Sequence, residues 1–116
     1  MTRALILSSL LLAAASGCAQ PTVLRAAGGR VYEGRFIHAR AYEAYARGSL
    51  AEAEGRFGDA ARSFRVAAEL DDEGPEPWTR LGAVLCRQGR RDEAEAGFEH
   101  AIQADRTYGP AFRQRA

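Results

Sequence analysis

The sequence predicts an all-α chain: a short helical solenoid of two helix–turn–helix hairpins, with a partial third unit as a capping helix. Three observations carry this. The body repeats itself at a spacing of 34 residues, with Gly48 on Gly82, Gly55 on Gly89, Ala60 on Ala94, Phe64 on Phe98 and Ala67 on Ala101. Gly55 and Gly89 stand where each hairpin has to turn, and a positive φ is expected there. Pro75 and Pro77 suit a helix start, because the first turn has no partner for its N–H groups. The expected helices are 39–53, 58–70, 76–87 and 91–104, with a stub from about 110.

Residues 75–108 contain Trp78, Leu81, Gly82, Ala94, Phe98 and Ala101 at the spacing W-x2-L-G-x11-A-x3-F-x2-A. This resembles the tetratricopeptide repeat, a helix–turn–helix unit of the same length. Residues 41–74 form a first copy that carries Gly48, Ala60, Phe64 and Ala67 but has Ala44 and Arg47 where the second has Trp78 and Leu81. Residues 109–116 open a partial third copy, so the repeat domain is 39–116. Gly48 and Gly82 are placed where two helices cross, Ala60 and Ala94 face them from the second helix, and Phe64 and Phe98 fill the space between hairpins. Phe112 falls 34 residues after Trp78 and is expected to dock, with Arg113 and Arg115 on the outer face.

The resemblance implies protein–protein interaction without catalysis. Ligands of this family lie in a groove lined by the first helix of each repeat. Here that lining is Tyr42, Tyr45, Ser49 and Glu52, then Glu76, Thr79, Ala83 and Cys86, with Arg87 beside it and Arg113 from the stub. A subset of the family grips a C-terminal carboxylate with Lys, Asn and Arg. Ser49 and Ala83 stand where Asn and Lys would be needed, so that ligand does not carry over. Tyr42 and Tyr45 either offer contact area at low entropy cost or pack against the segment before the helices.

The N-terminus carries a different signal. Arg3 is followed by an apolar run from Ala4 to Ala15. That is too short for a membrane-spanning helix, which needs about 20 residues, but it fits a secretory signal. The run ends in Ala15-Ser16-Gly17-Cys18, which resembles the lipobox of bacterial lipoproteins, with Ala15 where the family more often has Leu. The resemblance implies removal of residues 1–17 as a signal peptide and attachment of acyl chains, palmitate among them, to Cys18. The alternatives are an ordinary signal peptide cut after Ala19, or an uncleaved anchor. Ala19 stands where an Asp would favour retention at the inner membrane. The expected location is therefore the cell envelope, lipid-anchored at the outer membrane and facing the periplasm. Residues 18–38 then comprise the lipidated cysteine, a flexible tether through about Arg30, and an extended segment, 31–37, that lays Phe36 and Ile37 over the open end of the first hairpin as a cap.

Little else points to chemistry. Sixteen basic residues, all Arg, face fifteen acidic ones, for a formal charge of +1. That balance gives no electrostatic footprint for nucleic acid. His38 and His100 lie far apart and read as surface residues, and no metal-ligand spacing, phosphate loop or nucleophile elbow is present. No cofactor and no enzyme activity are expected. Arg87, Arg90 and Arg91 form either an anion site or a solvated turn. Cys86 is either a half-buried small hydrophobe or one half of an intermolecular disulfide. The expected function is a membrane-anchored interaction module for a protein or peptide partner, as accessory or scaffold in cell-envelope assembly; the alternative is a structural subunit that self-associates through the open ends of its array.

Overall fold

The computed structural model describes residues 22–116. The leader, Cys18 and the first residues of the tether lie outside the described residues. The chain divides into two compact units at Phe36.

The first unit holds an antiparallel hairpin of β1 (Thr22–Ala27) and β2 (Arg30–Arg35), with Leu24 opposite Glu33 and Ala26 opposite Val31. This corrects the expected tether. The reason is the Gly28-Gly29 pair, whose φ values of 59° and 74° are what a two-residue turn needs to match the twist of its strands. Read as composition, two glycines suggest slack; flanked by Val23, Leu24 and Val31, they close a hairpin. The extended reading of 31–37 holds for Arg30–Arg35, which is paired to β1. Phe36 is 55 % exposed, so it is not a buried cap residue.

The second unit is all helix. It comprises α1 (Ala39–Ala53), α2 (Phe57–Leu70), α3 (Pro75–Arg87), α4 (Arg91–Ala104) and α5 (Gly109–Arg115). Three-residue connections join α1 to α2 and α3 to α4, and turns this short make each pair antiparallel neighbours. The two turns are built alike. Gly55 and Gly89 have φ of 73° and 74°. The Gly55 N–H donates to the Glu52 carbonyl and the Arg56 N–H to the Ala51 carbonyl; Gly89 and Arg90 repeat this onto Cys86 and Leu85. These paired bonds satisfy the last carbonyls of each first helix, and a left-handed glycine makes them possible.

The core runs through both hairpins. Ala51, Ala60, Ala61, Phe64, Leu81, Val84, Leu85, Ala94 and Phe98 form one buried cluster, with Tyr45, Phe57 and Trp78 packed against it. The many alanines let the helices approach closely, and the two phenylalanines supply bulk. The α3 and α4 backbones approach closely where Gly97 meets Gly82: a Cβ on Gly97 would lie 3.3 Å from the Gly82 Cα. Gly97 escaped the sequence reading because its counterpart in the first copy is Ser63.

The last helix is seated differently from expectation. Ala111 is fully buried, while Phe112 is 45 % exposed. The repeat spacing explains this, since Ala111 corresponds to buried Pro77 and Phe112 to half-buried Trp78. Trp78 is covered by His100 of α4, whose ring stacks on it at 4.4 Å and 20°. Phe112 has no such ring partner among the described residues. Arg115 also departs from the expected solvent-facing role: its guanidinium pairs with Glu95 and lies 3.8 Å from Glu99, tying α5 to α4. Neither histidine is idle, because His38 caps α1 by accepting the Arg40 N–H on Nδ1 at 3.1 Å.

Candidate functional site

The first helices α1, α3 and α5 bring most of the expected lining residues to one face of the helical unit, and two interactions across it link α1 to α3. The Tyr45 hydroxyl donates to Glu76 Oε1 at 2.6 Å. The Arg80 guanidinium donates from Nη2 to Glu52 Oε2 at 2.5 Å. Phe64 sits beneath both, with the Tyr45 ring edge-on at 5.4 Å and the Arg80 guanidinium 5.3 Å from its centroid. The face is thus a braced junction in which an aromatic of α2 supports a tyrosine of α1 and an arginine of α3. Arg80 went unnoticed in the sequence because it lies one position outside the expected lining; its Nε is buried and makes no hydrogen bond.

The electrostatics of the junction follow from this arrangement. Burial, then the hydrogen bond to Glu76 and that carboxylate's charge, push the Tyr45 hydroxyl well above the ordinary tyrosine range. Tyr45 is therefore a protonated donor at any physiological pH. Tyr108, in the connection before α5, is raised the same way by burial and the Glu76 carboxylate, with Arg113 and Arg80 acting against it.

The remaining lining residues differ in exposure. Thr79 corrects the reading: it is 2 % exposed, and its hydroxyl donates to the Pro75 carbonyl at 2.8 Å, so it belongs to the packed side of α3. Ala83 and Ser49 are half-buried. Cys86 is exposed with a free thiol, which sets aside the half-buried alternative. Arg87 is exposed, with its guanidinium 5.4 Å above the Phe57 ring. Tyr42 and Arg113 are exposed at the two ends of the row. What the face offers to solvent is a phenol, a hydroxyl, a thiol and two guanidinium groups around a fixed centre.

The turn between α3 and α4 forms a separate depression of about 250 Å³ lined by Gly89, Arg90, Arg91, Asp92 and Glu93. Arg90 donates from Nε and Nη2 to the Glu93 carboxylate at 2.7 and 2.5 Å, which neutralises much of the charge an anion would seek. Among the described residues no group of three or more His, Cys, Asp or Glu is placed to hold a metal ion. No helix there is long and apolar enough to cross a membrane.

A braced stack of helical hairpins with an open face of side chains defines a repeat scaffold of the kind that binds other proteins. The tetratricopeptide repeat family matches residues 51–114, more than half of the chain, and the chain belongs to that family. Tetratricopeptide repeats generally mediate protein–protein interactions and are typically not catalytic. No curated protein matches the chain.

Proposed function

We propose that this chain is a membrane-anchored protein–protein interaction module, held in the cell envelope by acyl chains on Cys18 and recognising a protein or peptide partner along the first-helix face. The observation that carries the reading is the division of that face. Tyr45, Glu76, Glu52 and Arg80 are joined to each other across α1 and α3, and Tyr42, Cys86, Arg87 and Arg113 are exposed around them. A rigid centre lowers the ordering cost of binding, and outward aromatic and arginine side chains are the residue types that dominate interface energies. The lipobox-like Ala15-Ser16-Gly17-Cys18 supports the anchor, and Ala19 supports the outer membrane, with the domain in the periplasm as an accessory or scaffold.

A photo-crosslinking residue placed at Tyr42, and separately at Val66 on the exposed side of α2, tests the reading in living cells. A discrete adduct from Tyr42 and none from Val66 is expected. Adducts from Val66 alone would move the partner to the other face and refute the assignment. One observation favours a second reading, in which the chain self-associates end to end: Phe112 is exposed at the α5 end of the helical unit. Under that reading the sedimentation mass of the purified protein rises with its own concentration, and no added partner is needed.

A further inference from the structure

The first-helix face has cations left over. Glu76, Arg80, Ala83 and Arg87 recur at i, i+4, i+7 and i+11, so they share one side of α3, and none of them is buried. The α1 residues 34 positions earlier are Tyr42, Ala46, Ser49 and Ala53, which bring no charge. Both carboxylates of the junction already accept bonds from inside the face, Glu76 from Tyr45 and Glu52 from Arg80. Arg87 and Arg113 have no carboxylate within ion-pair distance among the described residues. Arg87 lies over the Phe57 ring, and Arg113 acts together with Arg80 on the Tyr108 hydroxyl. Two exposed guanidinium groups on one face are thus without a counter-charge.

The surrounding charge limits what can supply one. Residues 37–116 carry twelve arginines against fourteen acids. Arg80, Arg87 and Arg113 against Glu52 and Glu76 make the face net +1, which leaves the rest of the helical unit at −3. A broad anionic surface or a nucleic-acid strand would meet that remainder and be repelled. A single segment laid along the face would not. Arg113 stands 34 residues after Thr79, which precedes Arg87 by eight positions in α3. At 1.5 Å of rise per residue the two guanidinium groups are rooted about 12 Å apart along the helix axis, a distance that extended chain covers in about four residues.

We propose that the first-helix face takes an extended acidic segment of a partner protein, with side-chain carboxylates about four residues apart paired to Arg87 and Arg113. The proposal rests on the interaction-module reading above and names the charge of its partner. No free C-terminus is required, because both carboxylates belong to side chains.

Random ten-residue peptides, blocked at both ends so that no terminal carboxylate contributes, are panned on the purified full chain. Asp and Glu at a separation of about four residues should be enriched, and the enrichment should fade as salt is raised. Arg87→Glu combined with Arg113→Glu should weaken binding of the selected acidic peptides about tenfold and select basic ones instead. Arg87→Gln combined with Arg113→Gln should weaken the acidic peptides without selecting basic ones. Enrichment of basic or uncharged sequences by the wild-type chain, no enrichment, or an unchanged acidic preference in the Glu variant overturns the proposal. The Tyr42 crosslinker in living cells separates this proposal from the reading beneath it. A wild-type adduct that persists in equal yield in the Glu variant refutes the acidic segment alone. Absence of a Tyr42 adduct from the wild-type chain refutes the interaction face, and the acidic segment with it.

Discussion

A methyl group added at Gly82 would lie 2.7 Å from Phe98 Cε1 and 3.0 Å from the Ala94 carbonyl oxygen, and at Gly48 it would lie 2.8 Å from Phe64 Cδ1 and Cε1. The difference decides two predictions. Alanine gains about 1 kcal/mol over glycine inside a helix, while overpacking a filled core costs about 1–3 kcal/mol. Gly82→Ala should destabilise, because a backbone oxygen cannot yield; Gly48→Ala should cost less, because only a ring has to move. Urea unfolding of the two variants checks the order, and an equal or reversed pair would mean the helix crossings are looser than described. Phe98 is buried against that same crossing, and Phe98→Ala should cost about 3–5 kcal/mol, much of what a domain of this size has. A variant that melts cooperatively near the wild-type temperature would contradict the packing. Residues such as these were legible in the sequence because each occurs twice at one spacing for one geometric reason. Thr79, Cys86 and Phe112 were not. Their exposure depends on how each helix is rolled against its neighbours, and a threonine that satisfies its own hydroxyl on the preceding turn can be buried without any mark in the spacing.

At the scale of elements, the second helix of each hairpin begins with the same device. Arg56 pairs with Asp59 and Arg90 with Glu93, each acid in the first turn. These arginines hold the Asp59 and Glu93 carboxyls below their ordinary range, as Thr107 does for Asp105. A carboxyl lowered by folding contributes stability that is fully present above its unfolded pKa and lost as pH falls through the folded value. Helicity should thus hold at neutral pH and decline only below the ordinary carboxylate range. An Asp59→Asn, Glu93→Gln variant should show a flatter acid titration by circular dichroism, and an unchanged profile would mean these pairs do not hold the helix starts. Across the hairpins, Tyr45→Phe removes one donor to Glu76 at a half-exposed site, at a cost of about 1 kcal/mol. A double-mutant cycle with Glu76→Ala, which removes the acceptor, should recover most of that as coupling; a coupling of zero would dissolve the proposed brace. Helix positions were readable from the repeat and from the glycine turns, whereas the β-hairpin was not, since a two-residue glycine turn and a flexible linker share one composition.

On the scale of the whole molecule, α5 carries weight beyond its length, because each unit of a repeat scaffold is covered by the next. It buries Ala111 completely and ties Arg115 to α4 through Glu95 and Glu99. Deleting residues 109–116 should lower the melting temperature and increase self-association, because a buried surface of α3 and α4 becomes exposed. Unchanged melting and unchanged sedimentation mass would show that α5 does not seal the unit. The proposed function has the first-helix face working at a membrane to which Cys18 holds it. The most direct measurement places the Tyr42 crosslinker in the wild-type chain and in Cys18→Ser, and reads fractionation, N-terminal mass and adduct together. The prediction is an acylated wild-type chain in the membrane fraction with a discrete adduct, and an unacylated variant that leaves the fraction and loses the adduct. A Cys18→Ser chain that stays membrane-bound and forms the same adduct in the same yield would contradict it.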